Sequence, residues 1–177
     1  MRKIQIGIMG SAEDLNYSKE ALTFAKELGS EIANRDAILV YGAEGEYSSL
    51  STNAAIEASK NGGITVGVAG GKKKEVYGKY RPTVLIPCGL GIGGGREFTL
   101  VLACDVIIAI GGGSGTLTEM AIAYQANIPV ICISKFPGWS KKMANKYFDG
   151  RKRFKCLEAI SPKEAVDLAI SKVKLCE

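Results

Sequence analysis

The sequence predicts one α/β domain, a doubly wound parallel sheet with helices on both faces. Three observations predict it. Apolar, strand-like runs alternate with segments of helical spacing, the order that builds βαβ units. The 177 residues suit one domain with a full core, so residues 1–177 are read as a single unit. Glycine clusters stand at the ends of four predicted strands, Gly7–Ser11, Gly42–Gly45, Gly89–Gly95 and Gly111–Gly115, where sheets of this kind bind ligands.

The elements follow in order. Lys3 to Met9 is a buried first strand. Tyr17 to Asn34 carries Ala21, Leu22, Phe24, Ala25, Leu28 and Ile32 at helical spacing. Ala37 to Tyr41 is a second strand that ends at Gly42. Leu50 to Lys60 is a short helix closed by Asn61-Gly62-Gly63. Ile64 to Val68 is a third strand, Lys72 to Pro82 a loop, and Thr83 to Ile86 a short strand. Gly89 to Gly95 holds five glycines in seven positions. Arg96 to Cys104 reads as helix, Asp105 to Ile110 as strand, Ser114 to Asn127 as helix and Ile128 to Ile133 as strand. Lys135 to Lys155 is polar, aromatic and basic, with one strong turn at Phe136-Pro137-Gly138-Trp139. Ser161-Pro162-Lys163-Glu164 is a capping box with proline at the first helical position, opening a last helix to about Val173.

Composition narrows the function. At 46% hydrophobic and 23% charged residues the chain is neither disordered nor fibrous. No apolar run approaches the roughly 18 residues of a membrane span. Met1 to Gly10 reads as a first strand rather than a signal peptide. Five cysteines, Cys88, Cys104, Cys132, Cys156 and Cys176, are widely spaced and form no CxxC pair. They predict reduced thiols and a cytoplasmic location, not a zinc site. The absence of histidine excludes Ser-His-Asp and Cys-His catalysis and every His-ligated metal, so no metal site is predicted. The net charge of +5 suits an anionic small ligand, or nucleic acid weakly.

Asp105 to Glu119, DVIIAIGGGSGTLTE, is the most informative segment. A buried strand runs through glycines directly into a helix. Such a turn points the backbone N–H groups of Gly113 to Thr116 into one space, and the helix dipole adds positive charge there. That is an anion site made of Gly112, Gly113, Ser114, Gly115 and Thr116. Glu119, three residues past Thr116, shares its helical face near the mouth. A carboxylate so placed suits a general base or a partner for ribose hydroxyls. The alternative is structural: Ser114 caps the helix and Glu119 faces solvent.

This string resembles the PGGxGTxxE motif of the LOG-type proteins, long labelled lysine decarboxylase-like. Their best-known members are cytokinin riboside 5′-monophosphate phosphoribohydrolases. The family carries an RK pair nine residues before the aspartate that starts the motif strand. Arg96 stands nine residues before Asp105 here. The resemblance covers the chain from the first strand to about Ile133. It is closest to the branch with IGGG in place of the leading proline, which includes proteins similar to the molybdenum-cofactor carrier. The resemblance implies a Rossmann-like fold and a homodimer or higher homo-oligomer, with helices near Arg96 and Ser114 contributing. It also implies Arg96 and Glu119 as a catalytic pair for hydrolysis at the ribose C1′, and the glycine turn as the 5′-phosphate site. Gly10 and Ser11, matching a GSS-like turn, and Gly42 would line the same pocket.

The sequence departs from the family at Glu97, where the pair has lysine, at Gly93 and at Gly111. The loop after the second strand, Gly42-Ala43-Glu44-Gly45-Glu46-Tyr47, brings two acids that would repel a phosphate unless they hold a ribose or face water. These changes favour binding over catalysis.

Three functions follow, in order. The first is a binding or carrier protein for a phosphorylated nucleotide-like molecule, either a nucleotide or a molybdopterin-type cofactor; such a carrier is expected to have a wide, cationic cleft. The second is an N-glycosyl hydrolase of nucleoside 5′-monophosphates, which requires no cofactor. The third, a dinucleotide-dependent oxidoreductase, is weakest, because no GxGxxG follows the first strand with an acid at the end of the second.

Lesser features have structural and functional readings. The basic loop Lys72 to Arg81, with Tyr77 and Tyr80, is a solvated loop, a lid over an anion or a stacking surface. The cations from Lys141 to Lys155 carry no recognisable nucleic-acid signature, and no nucleic-acid or membrane partner is predicted. Ser11, Asp14 and Asn16 are candidate caps of a helix-start turn, Asp14 alternatively a ligand contact, and Trp139 is a packing or interface residue rather than a stacking platform. Ala121 to Ala126 offers apolar surface to a second copy.

Overall fold

The computed structural model describes residues 2–43, 45–74, 76 and 78–173. Seven strands form one parallel sheet: β1 (Gln5–Gly10), β2 (Ile38–Ala43), β3 (Ile64–Ala69), β4 (Val84–Pro87), β5 (Val106–Ile110), β6 (Val130–Ile133) and β7 (Leu157–Ala159). Their spatial order is β4-β3-β2-β1-β5-β6-β7. The order reverses between β1 and β5, which pair from Ile6 with Val106 to Gly10 with Ile110. Loops leave in opposite directions at this switch point and open a crevice at the carboxyl ends of the strands.

The helices are α1 (Lys19–Asn34), α2 (Leu50–Lys60), α3 (Arg96–Leu102), α4 (Ser114–Gln125), α5 (Trp139–Met143) and α6 (Pro162–Lys172). The period-2 geometry of the strands divides the core. Val106, Ile108 and Ile110 of β5 pack toward α1, α2 and α6, whereas Ile107 and Ala109 pack toward α3 and α4. Both faces are covered, so the central strands are continuous apolar runs. Burying each isoleucine contributes on the order of 2 kcal/mol. None of the described helices is long and apolar enough to cross a membrane.

Local chemistry sets the helix boundaries. Ser18 caps α1 by accepting the Ala21 N–H, so the helix start belongs to Ser18 rather than to Ser11, Asp14 or Asn16. Ser49 caps α2 through the Thr52 N–H, and Ser161 caps α6 through the Glu164 N–H. Glu164 reaches back to the Ile160 N–H rather than to the N-cap residue itself.

Gly91–Gly95 make one π-helical turn continuous with α3. Three expectations need correction. The basic segment after β6 contains α5, and β7 follows it; both elements are too short for periodicity to reveal. Tyr80 is not a stacking surface, because its hydroxyl donates to Thr65 Oγ1 at 2.7 Å and packs inward. The stretch Ala121 to Ala126 offers little to a partner, since Ile122, Ala123 and Tyr124 are buried in the chain's own core. The exposed large apolar side chains stand elsewhere, notably Leu90, Ile92, Phe98 and Leu102 along the π turn and α3.

Trp139 packs against the α3–α4 side of the core with the Lys142 ammonium 4.5 Å from its ring. Cys88, Cys104, Cys132 and Cys156 are free thiols. Glu44, Tyr77 and Cys176 lie outside the described residues.

Candidate functional site

The turn after β5 is built by contacts from three directions. Gly111 and Gly112 have φ of 64° and 94°, which glycine alone adopts without strain. The Gly112 N–H donates to Ser11 Oγ at 2.8 Å, tying the turn to the end of β1. From the other side the Trp139 and Ser140 N–H groups donate to the carbonyls of Gly112 and Gly111, at 3.0 and 2.9 Å. Gly138, with φ of 132°, lies so close that a Cβ there would collide with the Gly111 carbonyl. The start of α5 therefore holds the first two carbonyls of the turn away from the crevice.

What remains facing the crevice is the start of α4. Its N-cap residue is Gly113, which has no side chain to satisfy the first N–H groups of the helix. Gly113, Ser114, Gly115 and Thr116 line a cavity of about 500 Å³ at the β1/β5 switch point. The volume lies within the range of small-molecule sites. Thr116 is buried with its side chain against Gly112, and Glu119, one turn on, is only 7% exposed.

The opposite wall comes from α3. Arg96 is buried over Gly42, where a Cβ would strike the guanidinium. Glu97 is buried beside it: its Oε1 accepts from Arg96 Nη2 at 3.0 Å and Nε at 3.2 Å. Glu97 Oε2 accepts the Gly94 N–H at 2.7 Å. The residue that departs from the family pattern thus points inward and compensates the arginine. Burial, with Asp105 and Glu119 nearby, raises the pKa of the Cys104 thiol behind this wall, so it stays protonated.

Most of the expected residues converge. Gly10, Gly42, Arg96, Gly113, Ser114, Gly115, Thr116 and Glu119 all line the cavity. Ser11 and Gly112 do not; they stand behind the turn and hold its shape. Glu46 is exposed and absent from the lining. The cavity adds Asp14, Tyr47, Ser49 and Ser51. Ser49 Oγ lies 2.9 Å from the hydroxyls of both Ser51 and Thr52. The run Ser49-Leu50-Ser51-Thr52 at the head of a helix was the available signal, and it marks the start of α2 at the same crevice. The lining departs from the cationic cleft expected of a carrier. It holds Asp14, Glu97 and Glu119 against Arg96, so positive potential comes from the α4 backbone rather than from side chains.

Comparison with known proteins matches residues 3–166 to a family model. The chain belongs to the SLOG cluster4 family. Among solved structures, the molybdenum cofactor binding protein from the phototrophic bacterium Rippkaea orientalis is 30% identical with a TM-score of 0.80. That match covers 97% of this chain and 98% of the other. The molybdenum cofactor carrier protein of Chlamydomonas reinhardtii is 27% identical with a TM-score of 0.79, covering 96% and 98%. An uncharacterised protein of Archaeoglobus fulgidus is 29% identical over 125 residues, 71% of this chain and 76% of its own. The resemblance to LOG-type proteins, and to their cofactor-carrier branch, is borne out.

Proposed function

We propose that this chain binds a phosphorylated, nucleotide-like small molecule, a nucleotide or a molybdopterin-type cofactor, as a binding or carrier protein. The observation that carries the reading is the α4 N-terminus, uncapped by any side chain and open to the switch-point cavity. The N–H groups from Gly113 to Thr116 receive a phosphate. Asp14 and Glu119 accept hydrogen bonds from ring amines or hydroxyls of the ligand, while both Glu97 oxygens stay engaged by Arg96 and the Gly94 N–H. That donor-and-acceptor set fits a phosphorylated pterin as well as a nucleotide. The carrier proteins among the solved relatives, matched over nearly their full length, support the same reading. Because Arg96 is bound by Glu97, the phosphate is held chiefly by fixed backbone dipoles. The free thiols support a reducing, cytoplasmic setting. Exposed Leu90, Phe98 and Leu102 support a homodimer through the α3 side.

A second reading, hydrolysis of the N-glycosidic bond of nucleoside 5′-monophosphates, rests on Arg96 and a shielded Glu119 lining one cavity. Incubating pure protein with AMP separates the two. No free adenine together with a raised melting temperature supports binding. Adenine and ribose 5-phosphate, with release falling at least 100-fold in Glu119→Gln, establish the hydrolase instead. A cofactor carrier purified from a host that makes molybdenum cofactor retains molybdenum and a fluorescent oxidised pterin. Loss of all three signals, with no shift by inorganic phosphate, overturns the proposal.

A further inference from the structure

At the amino end of the sheet lies a second cavity of about 500 Å³ that the function above does not use. The five residues of β5, roughly 17 Å of strand, separate its rim at Asp105 from the glycine turn. Its floor is apolar, formed by Val130, Phe154 and Leu157, and Lys155 and Lys172 stand at its rim. Neither lysine forms an ion pair among the described residues. The carboxylate of the lining, Asp105, is already compensated: it accepts from Arg2 Nη1 at 2.6 Å and from the Gln5 N–H at 2.8 Å. Lys155 lies 5.6 Å from the Tyr147 ring and Lys172 stands in the last turn of α6, but among the described residues no carboxylate pairs with either ammonium group above the apolar floor.

The surroundings carry the same sign. Lys155 belongs to a hairpin closed by Asn145 N–H to the Cys156 carbonyl and Cys156 N–H to the Lys146 carbonyl. The hairpin also bears exposed Lys146, Lys152 and Arg153. Its acid, Asp149, is occupied by Arg151 and by the Tyr124 hydroxyl. Such a field draws anions toward the rim.

We propose that this cavity is a second binding site, for a small organic anion with a flat apolar body. An aryl carboxylate, sulfonate or phosphate ester would lay its ring on Val130, Phe154 and Leu157 and its charge between Lys155 and Lys172. Inorganic phosphate leaves the floor uncovered and binds poorly.

The test is a titration of 15N-labelled full-length protein with 8-anilinonaphthalene-1-sulfonate, read by amide shifts and by fluorescence. Saturable shifts centred on Asn127, Phe154, Lys155 and Leu157 are expected. Lys155→Glu with Lys172→Glu weakens binding at least tenfold, about 1.4 kcal/mol. Both positions are exposed, so the variant stays folded, with a melting temperature lowered slightly because Lys172 stands in the last turn of α6 and Lys155 lies over the Tyr147 ring. Gly115→Asp, in the other cavity, leaves the titration unchanged. The uncharged N-phenyl-1-naphthylamine binds at least tenfold more weakly. The proposal is overturned by shifts confined to the Phe98–Leu102 surface, by unchanged affinity in the lysine variant, or by equal affinity for the uncharged ring.

Discussion

The two cavities have similar volumes and opposite construction. At the carboxyl end the positive potential comes from backbone N–H groups locked by a turn, and the side chains around it are largely acidic. At the amino end the backbone contributes little, and the positive charge sits on two exposed lysines above an apolar floor. The first arrangement is preorganised: its donors lose little conformational freedom when a ligand arrives. The second must order flexible side chains, which costs entropy and leaves it open to screening by salt. The difference teaches that net charge, +5 overall, locates neither site. The geometry of fixed dipoles and of exposed lysines is what distinguishes the two cavities.

The comparison breaks most readily at Gly138. Gly138→Ala forces a side chain into the Gly111 carbonyl at a φ of 132°. It should destabilise the fold by about 3 kcal/mol or more, measured by urea unfolding. Gly115→Ala, with nothing near its Cβ, should stay within about 0.5 kcal/mol of wild type. Equal effects at the two positions would show that the turn is not held by α5.

Gly115→Asp sharpens the contrast without disturbing the core. The new carboxylate fits in open space and sits favourably at the start of α4. Stability should hold or rise by a few tenths of a kcal/mol. The AMP-induced shift in melting temperature should vanish, a loss of more than tenfold in affinity. A retained shift would remove the phosphate from this helix end.

A modest, pH-dependent effect is expected at Asp105, on the wall of the amino-end cavity. Burial opposes its ionisation, but Arg2 and the Gln5 N–H outweigh burial and hold its pKa below the usual carboxylate value. A lowered folded-state pKa stabilises the fold above the unfolded value, near 4, and that contribution is lost as pH falls through the folded pKa. Asp105→Asn should therefore cost about 1 kcal/mol at pH 7 and little at pH 2 to 3. Denaturant midpoints across that range measure it. A cost that did not shrink in acid would mean that packing, not charge, holds Asp105.

Much of the fold was legible in local patterns. The alternation of strands and helices, the α2 limits and the α6 cap all appear in the sequence, because each depends on neighbours within a few positions. The anion turn was legible too, since Gly111, Gly112 and Gly113 run straight from an apolar strand into a helix. Short elements were not: α5 and β7 have five and three residues, too few for a period to register. Ser11 and Gly112 stand behind the turn rather than in the cavity lining, a placement that local pattern does not reveal. Glycine and serine near a strand end look alike whether they touch a ligand or support the turn that does.

The sequence by itself determined the fold class and the glycine turn that leads from β5 into α4, with Glu119 three residues past Thr116. These rest on residue chemistry and on spacings of a few positions, whereas Arg96 as a partner of Glu119 came from the family resemblance. Only the tertiary structure decided that Glu97 turns inward against Arg96 and that Ser49 and Ser51 join the cavity. It alone brought Ser11 to Gly112, 101 positions away, and the start of α5 to the same turn. The physical reason is the reversal of strand order between β1 and β5. It brings distant strand ends into one crevice, and no local periodicity encodes a contact of that range.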